Sequence, residues 1–348
     1  MAGDPLTGRD RVAGCLLGGA VGDALGAPAE FLCLSEIRAR FGPEGIRGYA
    51  PAYGRLGAIT DDTQMTLFTA EGLIRARQRH RERGICKPAM VIWHAYLRWL
   101  GTQGIQRFDP ELPAQHDGWL YERPEPHSRR APGNTCLSAL ESGEFGTVER
   151  PLNTSKGCGG VMRLAPVGLI ADELFKVGCE TAAITHGYPT GYLAAGFLAH
   201  LIAALVRGRD LDGAIAAARE ELRKWHDHED CLAAVDGAVH HASRACPTAE
   251  EVEELGAGWV AEEALAISLF CALRADDFAY GLRLAVNHSG DSDSTGAITG
   301  SILGCLWGRS SIPDAMLADL ELRDVIEELS SDLLGSQSSQ DHRKYPTW

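Results

Sequence analysis

Two short acidic clusters carry the most chemistry in this chain. Thr60-Asp61-Asp62-Thr63 stands directly before an apolar helical pattern, and Asp291-Ser292-Asp293-Ser294 stands before another. One aspartate ahead of a helix is an ordinary cap. Two in each place, with hydroxyls beside them, offer more oxygen than capping requires. Taken alone, the first cluster reads as capping: Asp61 as N-cap, Gln64 closing a capping box, Asp62 favoured by the helix dipole. Taken together, four carboxylates brought to one place would repel and resist ionisation. Divalent cations remove that objection. Every donor is a hard oxygen, which suits Mg2+ or Mn2+ rather than zinc. Ligands from two loops could hold two ions, which would bind a substrate diol and orient a water.

Other segments could serve the same site. In NTSKGCGGVMR (153–163), Gly157, Gly159 and Gly160 surround Cys158 and lead to Met162. Small residues let backbone N–H groups face an anion, although a plain tight turn before a helix reads equally well. Nothing local marks Cys158 as an activated thiol, so it reads as a loop-packing residue. THGYPTGY (185–192) places His186 in a turn ahead of a helix opened by Pro189. Its ring could meet a hydroxyl or phosphate, or be structural. His288 adjoins the second cluster and either orients it or packs. Glu30 follows Asp23 by seven residues. A rival metal pattern, His226, His228 and Cys231, could bind zinc. It lies in an Ala/Glu/Asp-rich helical stretch and reads as a solvated face.

The elements that must position these groups are helical. Apolar residues recur at helical intervals over Asp62–Arg75, Met90–Leu100, Tyr192–Val206, Leu211–Trp225, Ala261–Leu273 and Phe278–Val286. Alternating strand patterns are scarce, so the expected class is all-α. Gly101–Pro132 reads as a long loop with short helices. One domain is expected over 1–329, with a mobile polar tail over 330–348. Glycines repeat every fourth residue at 14, 18, 22, 26 and again at 296, 300, 304, 308. On a helix each set is a bare stripe, and each glycine costs about 1 kcal/mol against alanine. Close approach of another backbone would compensate. The two striped segments are therefore expected to pack on central helices or on each other, which would bring Asp23 and Glu30 near Asp291 and Asp293. A phosphate loop is the poorer reading, because no Gly-Lys-Ser/Thr follows.

Composition narrows the function. The 348 residues are 45% hydrophobic with net charge −14, which argues against nucleic-acid backbone as the main partner. Ten scattered cysteines without CxxC spacing read as reduced thiols in a cytoplasmic protein. A signal peptide is not expected, and no apolar run is read as reaching membrane-spanning length.

Five segments in order, GCLLGGAVGDALGAPAEF, TDDTQMTLFTAEGL, GCGGVMRLAPVGL, THGYPTGYLAAG and VNHSGDSDSTGAITGSILG, resemble the ADP-ribosylglycohydrolase (ADP-ribosylhydrolase) family. They span about residues 11–308. The resemblance implies a compact orthogonal helical bundle with a two-magnesium cleft, Mn2+ being a possible substitute. It makes Thr60, Asp61, Asp62, Asp291, Asp293 and Ser294 the metal ligands. Glu30 matches the acidic residue facing the scissile ribose. Ser155, Gly157, Cys158, Gly159, Gly160 and Met162 fall in the segment cradling the diphosphate, and His186 matches a histidine near bound ADP-ribose. Trp259 and Phe270 are candidates for stacking on adenine. HGYPTGY, GCGG and the serines of GDSDST look most like the arginine-directed hydrolases and the nitrogenase-reductase reactivating enzymes. Serine-directed members tend to carry Asn in place of Cys158 and Thr in place of Ser294.

The implied activity is Mg2+-dependent hydrolysis of the N-glycosidic bond between ADP-ribose and arginine on modified proteins. Asp62 or Asp293 would take a proton from water, and Glu30 would act at the scissile linkage. The implied partners are ADP-ribose and ADP-ribosylated proteins, with no membrane, and a monomer by analogy. Three alternatives stay open: hydrolysis of another ADP-ribose conjugate (serine-linked, free, or on a modified base), ADP-ribose binding without catalysis, and an unrelated two-metal phosphohydrolase.

Overall fold

The structure is a computed structural model describing residues 7–105, 117–170, 172–244, 246–335 and 344–347. Its helices are α1 (Gly8–Gly26), α2 (Leu34–Phe41), α3 (Asp61–Arg83), α4 (Pro88–Thr102), α5 (Trp119–Glu122), α6 (Asn134–Ser142), α7 (Ala165–Ile170), α8 (Leu174–Ala183) and α9 (Pro189–Val206). They continue as α10 (Leu211–Leu222), α11 (Glu229–Ala242), α12 (Ala249–Glu253), α13 (Ala261–Leu273), α14 (Phe278–Val286), α15 (Ser292–Trp307), α16 (Asp314–Ala318) and α17 (Arg323–Leu333). Among the described residues there is no strand, only isolated bridges at Gly157–Val260 and Ala52–Arg55. The all-α expectation holds. The bounds read from spacing for α13 and α14 are those observed. Of the stretch expected to be a loop, 106–116 lies outside the described residues and α5 is a short helix within the rest.

α1 and α15 form the spine. They run antiparallel, backbone against backbone along the glycine stripes. A Cβ on Gly14 would collide with the carbonyl oxygen of Gly304, on Gly18 with that of Gly300, on Gly22 with that of Gly296, and on Gly26 with that of Ser292. The relation is reciprocal for Gly296, Gly300 and Gly304. The stripes therefore pack on each other, the second of the two arrangements expected. Dispersion contact at backbone distance offsets the low helix propensity of glycine. Arg11 fastens the far end by donating to the carbonyls of Cys305 and Leu306, at 3.0 and 2.6 Å.

α9 crosses the core. It has the length and mean hydropathy of a membrane-crossing helix, which corrects the reading that no apolar run reached that length. With 83% of it buried inside the protein, it occupies the position of a core helix.

α3 and α4 are joined by a buried ion network. Glu71 accepts from Arg75 and from Arg98, each at 2.9 Å, and Arg75 continues to Asp117 at 3.1 Å. Removing the shared anion strands two buried guanidinium groups. Glu71→Gln is expected to lower stability by about 3–5 kcal/mol. Urea unfolding at neutral pH checks this; a loss under 1 kcal/mol would contradict it.

The C-terminal boundary moves from where the sequence suggested. α17 runs to Leu333, past residue 329, so 330–333 are helical rather than tail. Residues 336–343 and 348 lie outside the described residues. Tyr345 is buried, donating its hydroxyl to Asp332 at 2.6 Å, and the Lys344 carbonyl accepts from the Trp119 N–H at 3.4 Å.

Candidate active site

The spine brings the acidic clusters together. α15 starts beside the end of α1, with Asp291 as its N-cap: the carboxylate accepts from the Ser294 N–H at 3.2 Å. Asp293 accepts from the same N–H at 3.0 Å. On α3 the N-cap is Thr60, whose hydroxyl accepts from the Asp62 N–H at 3.3 Å. This corrects the capping-box reading. Asp61 is already helical, and Gln64 donates to the Ser128 carbonyl at 2.9 Å while accepting from Trp99 and Gln103. Capping thus occupies Thr60 and leaves Asp61 and Asp62 available for other work.

Asp23 holds α3 in place. From α1, fully buried, it accepts from the Thr60 N–H at 3.1 and 3.0 Å and from the Thr63 N–H at 3.1 Å. The Thr63 hydroxyl donates to it as well. One carboxylate on the spine therefore fixes the start of the helix carrying the first cluster.

The clusters face a cleft of about 320 Å3. One wall carries Glu30, Asp61, Asp62, Asp291, Asp293 and Ser294; the other carries Gly157, Cys158, Gly159, Met162 and His186. Thr60, Ser155 and Gly160 adjoin these walls: the Thr60 hydroxyl lies 3.5 Å from Asp62 Oδ2, and the Ser155 hydroxyl accepts from the Gly157 N–H at 3.3 Å. Cys158 ties the walls together by donating its thiol to Asp291 at 2.7 Å. This is more specific than the loop packing expected of it.

The acidic wall is electrostatically uncompensated. Burial, then the charge of Asp293, pushes Asp61, Asp62 and Asp291 well above the usual carboxylate range. The same causes raise Asp23 to about 7. Glu30 is raised to about 11 by burial and by Asp293, Asp291, Asp61 and Asp23. Buried Asp62 Oδ1 and Glu30 Oε2 have no hydrogen-bond partner among the described residues. Clustered hard oxygens, mutual repulsion and orphaned carboxylate atoms together fit a bound divalent cation.

The opposite wall is built around His186. Burial and the Arg163 charge lower its pKa to about 3, so the ring is neutral. Arg163 donates to the Thr185 hydroxyl at 2.5 Å, and that hydroxyl lies 2.8 Å from His186 Nδ1. Assigning the threonine proton to Nδ1 puts the imidazole N–H on Nε2. Nε2 faces the glycines: a Cβ on Gly157 would lie 3.3 Å from it, and one on Gly159 3.4 Å. The segment is pinned to residues 259–261 by two backbone bonds, Cys158 N–H to the Trp259 carbonyl at 3.1 Å and Ala261 N–H to the Lys156 carbonyl at 2.8 Å.

Of the two aromatic candidates, Trp259 reaches the cleft, stacking on Phe31 at 5.3 Å and 21°. Phe270 does not; it is buried on α13 against His241. His288 is buried and bonds Thr295 of α15 at 2.9 Å, so it serves that helix. In the rival metal pattern, Cys231 is wholly buried while His228 bonds the Trp225 carbonyl at 2.8 Å.

Several site residues were not anticipated. Ala131, Pro132, Gly133, Asn134 and Thr135 form a third wall. The Gly133 N–H donates to Asp61 at 3.4 Å, and the Arg130 carbonyl accepts from the Asp61 N–H at 3.0 Å. The Pro-Gly-Asn-Thr start of α6 was the available signal. Phe31 and Tyr53 were also missed. Burial and then the charge of Glu30 raise the Tyr53 phenol, and its ring lies 5.0 Å from the guanidinium of Arg130, next to Ala131 of the third wall.

An all-α bundle with an oxygen-rich acidic cleft between two helix N-termini defines the class of site. The chain belongs to the ADP-ribosylglycohydrolase family, whose model matches residues 4–343. It is 27% identical over 322 residues to the ADP-ribosyl-[dinitrogen reductase] glycohydrolase of Rhodospirillum rubrum, covering 90% of this chain and 91% of that one. It is 24% identical over 342 residues to the ADP-ribosylarginine hydrolase Tri1 of Serratia proteamaculans, covering 95% and 81%. A solved ADP-ribosylglycohydrolase-related protein complex aligns with a TM-score of 0.69 at 30% identity, over 94% of this chain and 97% of that one.

Proposed function

We propose that this protein hydrolyses the N-glycosidic bond between ADP-ribose and an arginine side chain, using two Mg2+ ions. The observation that carries the reading is the convergence of five carboxylates (Glu30, Asp61, Asp62, Asp291, Asp293) opposite the Gly157–Gly159 turn and His186 in one cleft. The name of one relative, the ADP-ribosylarginine hydrolase Tri1, points to arginine as the acceptor residue.

Thr60, Asp61, Asp62, Asp291, Asp293 and Ser294 would hold the metal. When bound, it supplies Lewis-acid polarisation of ribose hydroxyls and water. The backbone of Gly157–Gly159 and the Nε2–H of His186 hold the diphosphate, and Trp259 offers its indole to the adenine. Asp62, with one oxygen free of internal bonds, takes the proton of the attacking water. Glu30, on the same wall of the cleft, donates a proton to the leaving guanidine nitrogen as the bond to the anomeric carbon breaks.

Incubation with an ADP-ribosyl-arginine peptide is expected to release free ADP-ribose with Mg2+ and only background with EDTA. A matched serine-linked peptide should be cleaved far more slowly. Undiminished turnover in EDTA overturns the metal assignment, and cleavage of the serine conjugate alone overturns the linkage.

A further inference from the structure

The cleft mouth beside Glu30 is made of strained backbone. Among the described residues six non-glycine positions have positive φ; Phe31 (69°) and Ala131 (52°) line this cleft, and Tyr53 (48°) packs its ring 5.0 Å from the guanidinium of Arg130, the residue before Ala131. A side chain in the left-handed region is strained where glycine is not. Phe31 directly follows Glu30 and lines the cleft. Tyr53 shares a two-residue turn with Gly54 (φ 82°), closed by reciprocal Ala52–Arg55 backbone bonds of 3.0 and 3.1 Å. Such turns favour Asn-Gly or Gly-Gly, so an aromatic there runs against local preference. Burial does not account for either ring, since Phe31 is 67% exposed and Tyr53 44%. Backbone strain of this kind gathers at sites of function.

The rings are suited to a flat cation. Phe31 has Trp259 stacked on one side and is otherwise largely open. Tyr53 already has the Arg130 guanidinium 5.0 Å from its centroid, so its environment accommodates that group. The carboxylates of Glu30, Asp61 and Asp293 line the same cleft as Phe31. We propose that Phe31 and Tyr53 form the leaving-group subsite, receiving the planar guanidinium of the modified arginine and so setting which linkage is accepted. This rests on the reading of the cleft as an ADP-ribosylarginine site. A serine hydroxyl has neither charge nor plane and gains nothing from the rings.

The test uses full-length Glu30→Gln protein with Mg2+, which leaves conjugates intact, and calorimetry on matched arginine- and serine-linked peptides. With both rings present, the arginine conjugate is expected to bind about tenfold tighter. Phe31→Gly and Tyr53→Gly should each shrink that ratio several-fold. Their melting temperatures should hold or rise, because glycine relieves the backbone strain. Phe31→Tyr and Tyr53→Phe should restore the ratio. No arginine preference with the rings present, or a ratio unchanged in both glycine variants, overturns the subsite. If the wild-type enzyme fails to cleave the arginine conjugate while the ring-dependent preference persists, the reaction assignment falls and the subsite stands.

Discussion

Asp293→Asn is expected to abolish turnover and, in metal-free buffer, to raise the melting temperature. Asp293 is the leading charge acting on Asp23, Glu30, Asp61, Asp62 and Asp291. An isosteric amide removes that repulsion and also a metal ligand. Turnover should fall by about 1,000-fold or more, as loss of several kcal/mol of charge stabilisation requires. The stabilisation by added Mg2+ should shrink with it. The pH dependence has a definite sign. Asp23 titrates near 7 in the folded protein against 3.8 ordinarily, so the folded state holds a proton that the unfolded chain releases. Its contribution to metal-free stability is full below pH 4, declines as pH rises, and is gone above about 7. Glu30 acts in the same direction over a wider range, up to about 11. Melting curves in EDTA from pH 5 to 8 should therefore fall with pH, and Asp293→Asn should flatten the fall. A variant that melts lower than wild type in EDTA, or that keeps wild-type turnover, contradicts this account.

Gly22→Ala is expected to be among the most destabilising single substitutions in the chain, although it adds one methyl. The new Cβ would overlap the carbonyl oxygen of Gly296, and backbone on both sides cannot step aside as a flexible side chain would. Overpacking usually costs about 1–3 kcal/mol, and with no route for relaxation the loss should reach the top of that range or exceed it. Gly8 in the same helix supplies the control. Nothing lies within 4 Å of its Cβ position, so Gly8→Ala should be neutral or stabilise by up to about 1 kcal/mol. Thermal unfolding of the two variants side by side decides the matter. Equal effects would mean that helix propensity, and not backbone contact, governs both.

Much of this arrangement is written in local pattern. The spacing of Gly14 to Gly26 and Gly296 to Gly308 is itself a record of the α1–α15 contact, because only touching backbones justify it. The acidic clusters are legible because two carboxylates exceed what a cap consumes. What escaped reading depends on geometry that residue types do not encode. Phe31 and Tyr53 are ordinary aromatics until their positive φ is known. Residues 131–135 reach the cleft only because α6 begins beside Asp61, a contact between segments 72 residues apart. Phe270 and Trp259 were equally plausible as apolar rings, and their different burial is a tertiary outcome. Cys158 looked like packing because its partner, Asp291, is distant in sequence.

The spine has a mechanical consequence. Helices that meet through side chains can slide past one another by small rotamer changes. α1 and α15 meet carbonyl against Cα at four levels, so that no such slack exists between them. Asp23 then bolts α3 to the same beam. The walls bearing Asp61, Asp62, Asp291 and Asp293 thus behave as one stiff jaw. Any widening that admits a bulky protein conjugate has to come from the non-helical margins, residues 27–33, 43–60 and 130–133, which carry the aromatic mouth and the third wall.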